Sequence, residues 1–585
     1  MNSLRRAARL SVPAVRLSRN AIPTVLLLGY GLAYLGAVAF ARSDPTNWTW
    51  GIGLWRFLPA TPFALALPAA FLLLLAAAAT SLRTPLPGDR GVKAASRRST
   101  RDLGPWIAAS AGVAFAALFW IARERIHFLG DTKARLEYVQ WLSMGGPKGD
   151  LLRGHAAPLD FLVSIRIPER LANWASLNPI WVARAIPCLL GAAFVVAAVR
   201  ASRWLAGGGT ARALVFAVLV TQGYVELFAG YAESYGLQIT CMLVWFAAAL
   251  GERERKRAPG WSAVLFAMTV LAHRSSLLLL PAQTWLYLRN RPERGRIWGY
   301  VGAMFVAALA VSVLLLDWWS TVGDDVLFLL GGAGKPGLGS YSLFSRLHFS
   351  NVLNEMFLLC PVWALGAVLV VCVGRQPKHL GFLLAAAVPF WGLSVTVRSL
   401  YHGLGAARDW DAFAPAGLFL ALFVAMWAAS AARSRPGLRP ILGVLVLIGA
   451  LQASGWLWVN ASVPAALARA EAIARGKPEL PTVPRTLALE TLGSIYRDLG
   501  EHERSSRNWL EAAHTSPNAR YFWTAGVEAW KAGHPAFARK LFRRAVAQDA
   551  GFRRVMRQIA SRSAPSPGDS MEAAMRGSLA EYDPR

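Results

Sequence analysis

A few ionisable residues sit where an apolar chain makes them costly. In the stretch WIARERIHFLGDTKAR, Asp131 follows an apolar run by a few residues. A carboxylate at a membrane edge is partly desolvated, which suits it to take the proton of an attacking hydroxyl. Asp131 is equally well placed to cap the DTKARLEYVQWL helix, since Asp is favoured at that position. In LFAGYAESYGL, Glu226 and Glu233 lie seven residues apart around Gly230 and share a face if the helix continues there. Two such acids suit a sugar or a metal, or simply flank a solvated turn. His273 and Arg274 meet in LAHRSSLLLLP, where a guanidinium at membrane depth needs a protein carboxylate or a lipid phosphate. SLYHGLGAARDWDAF gathers Arg398, His402, Arg408, Asp409 and Asp411 before a further apolar run. Arginine there would stabilise a departing phosphate, while Trp410 suits interfacial anchoring. LLGGAGKPGLGS is not a phosphate loop, because Pro336 follows Lys335 in place of Ser or Thr.

These residues are spaced along a chain of 585 residues that is 55% hydrophobic and 16% charged. Runs such as FALALPAAFLLLLAAAAT are long enough to cross roughly 30 Å of hydrocarbon. The net charge of +29 would suggest nucleic acid in a soluble protein. Here the basic residues fill short loops between apolar runs, as cytoplasmic loops do, and no nucleic-acid partner is expected. The run from Ile22 to Ala41 exceeds a signal-peptide core of roughly 7–15 residues and is read as a retained first span.

Further spans are expected near 57–80, 105–122, 179–199, 211–229, 234–250, 298–316, 352–373, 379–397, 411–430 and 440–459. Residues 260–288 are flanked by basic loops on both sides, which requires an even number of passes. Two short helices turning at His273-Arg274 satisfy that. The expected fold is an all-α polytopic bundle of about 13 spans with a cytoplasmic N-terminus and the C-terminus outside. Cys188, Cys241, Cys360 and Cys372 fall inside apolar runs without the spacing of a disulfide framework or zinc site.

The domain plan is a basic arm (1–20), a membrane domain (21–460), a linker (461–484), a helical repeat domain (485–560) and an unstructured Pro/Ser/Gly-rich tail (561–585). Leu492, Gly493, Tyr496, Ser505, Trp509, Ala512 and Pro517 fall at the spacings of a tetratricopeptide repeat. A second repeat, one residue shorter, runs through Trp523, Gly526, Trp530, Ala538, Phe542 and Ala545. Such repeats suit a protein partner or an acceptor.

The membrane part resembles the GT-C superfamily of polyprenyl-phosphate-sugar-dependent glycosyltransferases, including the protein O-mannosyltransferase and lipid A aminoarabinose transferase branches. The resemblance rests on Asp131 in the first large outer loop, on GHAAPLDF as a degenerate His-Pro-Pro-Leu element, and on ARAIPCLLGA. GYAESYGL, AHRSSLLLLP and RDWD are similar to pieces of bacterial members.

The resemblance implies an outward active site, inverting transfer from a polyprenyl-phosphate sugar to a glycan, lipid or protein acceptor, and Asp131 as general base. His155 and Arg184 carry over as donor-site or structural residues. Ala156 and Ala157 replace the usual prolines, and Asp131 stands alone where O-mannosyltransferases have adjacent acids. No ligand spacing demands a metal, although a divalent ion is compatible with Asp131, Glu226 and Glu233. The Ala/Arg-rich composition fits a bacterial inner membrane. The alternatives are a scaffold that recruits envelope proteins through its repeats, and a transporter. The broken helices at His273 supply one half of a transporter's paired pattern, and no second half is found.

Overall fold

The computed structural model describes residues 20–83, 105–146, 157–255, 260–290, 344–373, 376–396, 404–549, 551–554 and 570–581. Among the described residues every regular element is helical and none is a strand. The bundle begins with α1 (Ala21–Ser43), α2 (Ala60–Arg83) and α3 (Pro105–Ile121). A connecting segment follows, with α4 (Thr132–Ser143) and a helical run from Pro158 that is π-helical over Phe161–Arg166 and ends as α5 (Ile167–Ala175). Next come α6 (Pro179–Leu205), α7 (Gly209–Val220), α8 (Ser234–Glu254), α9 (Trp261–Ala272) and α10 (Leu280–Asn290). After them lie α11 (Arg346–Leu359), α12 (Leu365–Val373), α13 (Leu380–Thr396), α14 (Ala414–Ser434) and α15 (Arg439–Ala461).

Six helices are long and apolar enough to cross a membrane: α1, α2, α6, α8, α14 with its leading turn, and α15 with its leading turn. α3, α7, α9 and α13 are shorter apolar helices. α14 is central, with 83% of its most apolar window buried, whereas α2 has only 22% buried and is peripheral. The exposed face of α2 carries Leu65, Phe71, Leu72 and Leu73, a surface that suits lipid and not water.

Two expected spans end early. The run 211–229 leaves the helix at Thr221 and forms a 3₁₀ turn over Gly223–Phe228. The run 352–373 is broken between α11 and α12, where Pro361 cannot donate a backbone hydrogen bond. The expected span 298–316 and the Lys335-Pro336 segment lie outside the described residues.

Residues 260–288 do form a hairpin. Glu252, near the end of α8, accepts from the backbone of Trp261 and Ser262 at the start of α9. His273, at the turn, stacks on Tyr235 near the start of α8, and Gln238 donates to Ser275 at 2.8 Å and Ser276 at 3.0 Å. The returning α10 brings Trp285 back under Arg253. The chain therefore rises along α8, turns at His273 and descends.

The two ends of the bundle differ in chemistry. One end holds Arg200, Arg203, Arg212, Arg253, Arg255, Arg289, Lys378, Arg433 and Arg439, with Glu254 paired to Lys378 at 2.7 Å and His379 at 2.9 Å. The other end gathers the 44–58 loop, α4, α5, the 223–233 turn and the 404–413 turn. The C-terminal helices sit there too.

α16 (Val463–Arg475), in the segment expected as linker, is helical and buries Arg469 against the bundle. α17 (Thr482–Asp498), α18 (His502–Thr515), α19 (Ala519–Lys531) and α20 (Pro535–Gln548) stack as successive antiparallel pairs. Within each pair a small residue admits a large one: a Cβ on Gly493 would meet Trp509 at 2.7 Å, and one on Gly526 would meet Phe542 at 2.6 Å. The tail differs from expectation, since α21 (Met571–Glu581) is helical and packs on α20. Polar contacts tie this domain to the bundle: Thr491 accepts from Arg408 at 2.9 Å, and Asp498 pairs with Lys133 of α4.

Candidate functional site

At the end of the bundle opposite the basic loops lies an open cavity of about 580 Å³. Five parts of the chain build it. α4 supplies Asp131, Arg135 and Tyr138, and the run from Pro158 supplies Asp160 and Phe161. The start of α8 supplies Glu233 and Tyr235, the hairpin apex His273 and Arg274, and the 404–413 turn Asp409 and Asp411. Carboxylates thus outnumber guanidinium groups in the lining. One wall, with Tyr138, Phe161 and Ile165, is apolar.

Asp131 occupies the N-cap position of α4, yet its side chain makes no capping hydrogen bond. Its backbone N–H donates instead to the Glu233 carboxylate. Asp131 is the only exposed acid of the five, because Asp160, Glu233 and Asp411 are buried and Asp409 is half-buried. A molecule entering the cavity therefore reaches Asp131 before the other acids. The residue before it, Gly130, has φ +50° and donates its N–H to the Arg408 carbonyl at 2.8 Å. That turn aims Asp131 at the cavity and keeps it off its own helix.

Arg135 lies one turn along α4 from Asp131. It pairs with Asp160 at 2.5 Å, and Asp160 also accepts from Ser164 at 2.6 Å. Burial alone would make Arg135 easier to deprotonate, but Asp160 and Glu233 more than offset it. Arg274 also faces the cavity and has no carboxylate partner among the described residues. It is the guanidinium left to meet an incoming anion.

Burial pushes the Glu233 carboxyl up to about 8; Arg135 opposes the shift and Asp131 adds to it. Burial likewise raises Asp409 to about 7, with repulsion from Asp131 in the same direction and Arg408 against it. Both groups hold protons more tightly in the folded chain than their usual carboxylate range allows. The folded chain therefore carries the extra protons between about pH 4 and pH 8, and stability declines as pH rises through that window. The apparent unfolding midpoint in detergent, followed by tryptophan fluorescence, is expected to fall from pH 5 to pH 8. Asp409→Asn is expected to flatten that slope. An equal slope in the variant would remove Asp409 as a source.

Three expected site residues, His155, Arg398 and His402, lie outside the described residues. Three others stand away from the cavity. Arg408 is buried, donates to the Phe128 carbonyl at 3.0 Å and to Thr491, and lies over the Phe128 ring. It holds the turn that carries Gly130. Arg184 donates to the Glu124 carbonyl and braces the start of the same connection.

Glu226 and Glu233 do not share a helical face, because the 3₁₀ turn, Gly230 at φ +67° and the extended backbone of Glu233 break the helix between them. Glu226 is buried in a second polar cluster with Asn460 and Arg469, and burial holds its carboxyl well above the usual range. Arg135, Asp160 and Arg469 were not expected. The signal for Arg135 was its i+4 spacing from Asp131; Asp160 sat within GHAAPLDF.

Among the described residues no group of three or more His, Cys, Asp or Glu side chains is arranged to hold a metal ion. No protein-family model, curated protein or solved structure matches the chain.

Proposed function

We propose that the chain is an integral membrane glycosyltransferase that moves a sugar from a polyprenyl-phosphate donor to an acceptor on the extracytoplasmic face. The observation that carries this reading is the exposed, uncapping Asp131 in an acid- and arginine-lined cavity, at the end of the bundle opposite the basic loops. Basic loops favour the cytoplasm, so the cavity faces outward, where the sugar donor is lipid-linked. In this reading about 13 spans cross a bacterial inner membrane, one of them within 298–316. The C-terminal helices form tetratricopeptide-like repeats outside.

Asp131 removes the proton from the acceptor hydroxyl as its oxygen attacks the anomeric carbon. The bond from that carbon to the phosphate oxygen breaks, and the polyprenyl phosphate leaves with the electron pair. Arg274 stabilises the developing charge on the phosphate. Arg135 holds the acids in register, and the apolar wall at Phe161 and Ile165 receives the first isoprene units.

The test is mass spectrometry of envelope glycans and glycoproteins in a null strain carrying wild type or Asp131→Asn at matched membrane levels. One sugar mass is expected to vanish in both the null and the Asn strain. A scaffold would instead keep its function in the Asn strain and lose it when residues after about 480 are removed.

A further inference from the structure

A second cavity, of about 660 Å³, opens at the basic end of the bundle, far from the acidic one. α6 and α9 pack along opposite edges of α8, and the cavity is the gap between them with α8 as its floor. Its deep part is apolar, lined by Val196, Ala197, Val244 and Leu265. Its mouth carries Arg200 and Arg255, with the indoles of Trp204 and Trp261 beside them.

The groove is a built feature of the chain. Trp204 lies flat on α8 because Gly251 has no side chain there; a Cβ would meet the indole at 3.1 Å. Arg255 in turn stacks over Trp204, 5.2 Å from the ring centre. The one acid in the lining, Glu252, is occupied: it accepts from the backbone of Trp261 at 2.7 Å and from the Ser262 hydroxyl at 2.6 Å. Among the described residues the mouth therefore presents two exposed guanidinium groups with no carboxylate left to pair them. Along α6 the apolar wall runs from Ala193 up to Arg200, a depth of about 10 Å at the helical rise.

Charge at the rim, an apolar slot of that depth below it and aromatic residues at the level of the headgroups match one ligand class. We propose that this groove holds one anionic phospholipid of the leaflet at the basic end, its phosphate between Arg200 and Arg255 and an acyl chain along Ala197 and Val244. A free phosphate would use the two arginines but leave the slot unfilled. A neutral lipid would fill the slot but leave the arginines unpaired. Basic pockets between membrane helices on the cytoplasmic side select anionic headgroups in this way. The inference is independent of the reading of the acidic cavity.

The experiment uses the full chain in detergent, with dioleoyl phosphatidylglycerol, dioleoyl phosphatidylcholine or inorganic phosphate as probe, read by native mass spectrometry. One phosphatidylglycerol per chain is expected to survive activation that strips phosphatidylcholine. Arg200→Gln with Arg255→Gln is expected to lower its retention about tenfold. Arg83→Gln with Arg289→Gln, the same charge change elsewhere on the basic end, is expected to leave it unchanged. Ala197→Trp, which fills the slot with both arginines intact, is expected to expel the lipid.

Four results would overturn the proposal. They are equal retention of the two lipids, full retention in the Arg200/Arg255 variant, an equal loss in the Arg83/Arg289 variant, and displacement of the lipid by millimolar phosphate. If Ala197→Trp does not fold, the two arginine pairs still decide.

Discussion

Asp131→Asn is expected to abolish sugar transfer while leaving the protein inserted and folded. Asparagine keeps the size of the side chain and is itself a good N-cap residue, so α4 has no reason to unwind. The backbone N–H that donates to Glu233 is untouched. What disappears is the one exposed carboxylate among the described residues that line the cavity. Loss of a positioned general base costs roughly 10²–10⁴-fold in rate. Purified enzyme with a polyprenyl-phosphate sugar and a permissive acceptor would measure the drop, with the unfolding midpoint as the control for folding. A variant with wild-type turnover would mean that the carboxylate does no chemistry.

Gly130→Ala is expected to damage both folding and activity. At φ +50° an L-residue is strained, at a cost of roughly 1 kcal/mol. The larger problem is space, because the added methyl would be driven into the Tyr231 hydroxyl. It would also meet Glu233 Oε1 at 3.0 Å and Asp411 Oδ2 at 3.1 Å. Neither acid can retreat easily, since both are buried. The turn would have to move, taking the neighbouring Asp131 with it. Gly145→Ala is the matched control: its φ is +83°, yet nothing lies within 4 Å of the added methyl. The Gly130 variant should therefore lower the unfolding midpoint well beyond the Gly145 variant and lose most transfer activity. Equal shifts in the two would mean that only backbone strain is felt.

Much of the membrane fold was legible because apolar composition over about twenty residues has few other uses. The run 22–41 became α1 over Ala21–Ser43, and 234–250 became α8 over Ser234–Glu254. Hydropathy failed where the chain stays apolar but stops being helical. At Gly223 the turn passes against the Leu358 carbonyl, an approach that excludes any side chain, and at Pro361 the helix loses a donor. Neither event changes local hydrophobicity, so both were invisible to it.

The site divides along the same line. Asp131, Glu233, Arg274, Asp409 and Asp411 stood out because a charge among apolar neighbours is expensive. Arg135 and Asp160 lie on amphipathic segments, where charges are ordinary, and only their pairing makes them part of the cavity. Arg469 was hidden in a stretch too polar to suggest burial in the bundle. Arg408 was legible as a charge but not in its role, which depends on Thr491 more than eighty residues later.

That distance along the chain sets an order of events during synthesis. A ribosome that has delivered the chain as far as Ala461 has released every helix of the bundle, but not Thr491 or Asp498. Until those residues emerge, the turn that carries Gly130 lacks its contact with Thr491 and α4 lacks its pairing with Asp498. A prematurely terminated chain can thus occupy the membrane with that turn unbraced. Completion of translation is then the step that sets the turn beside the cavity.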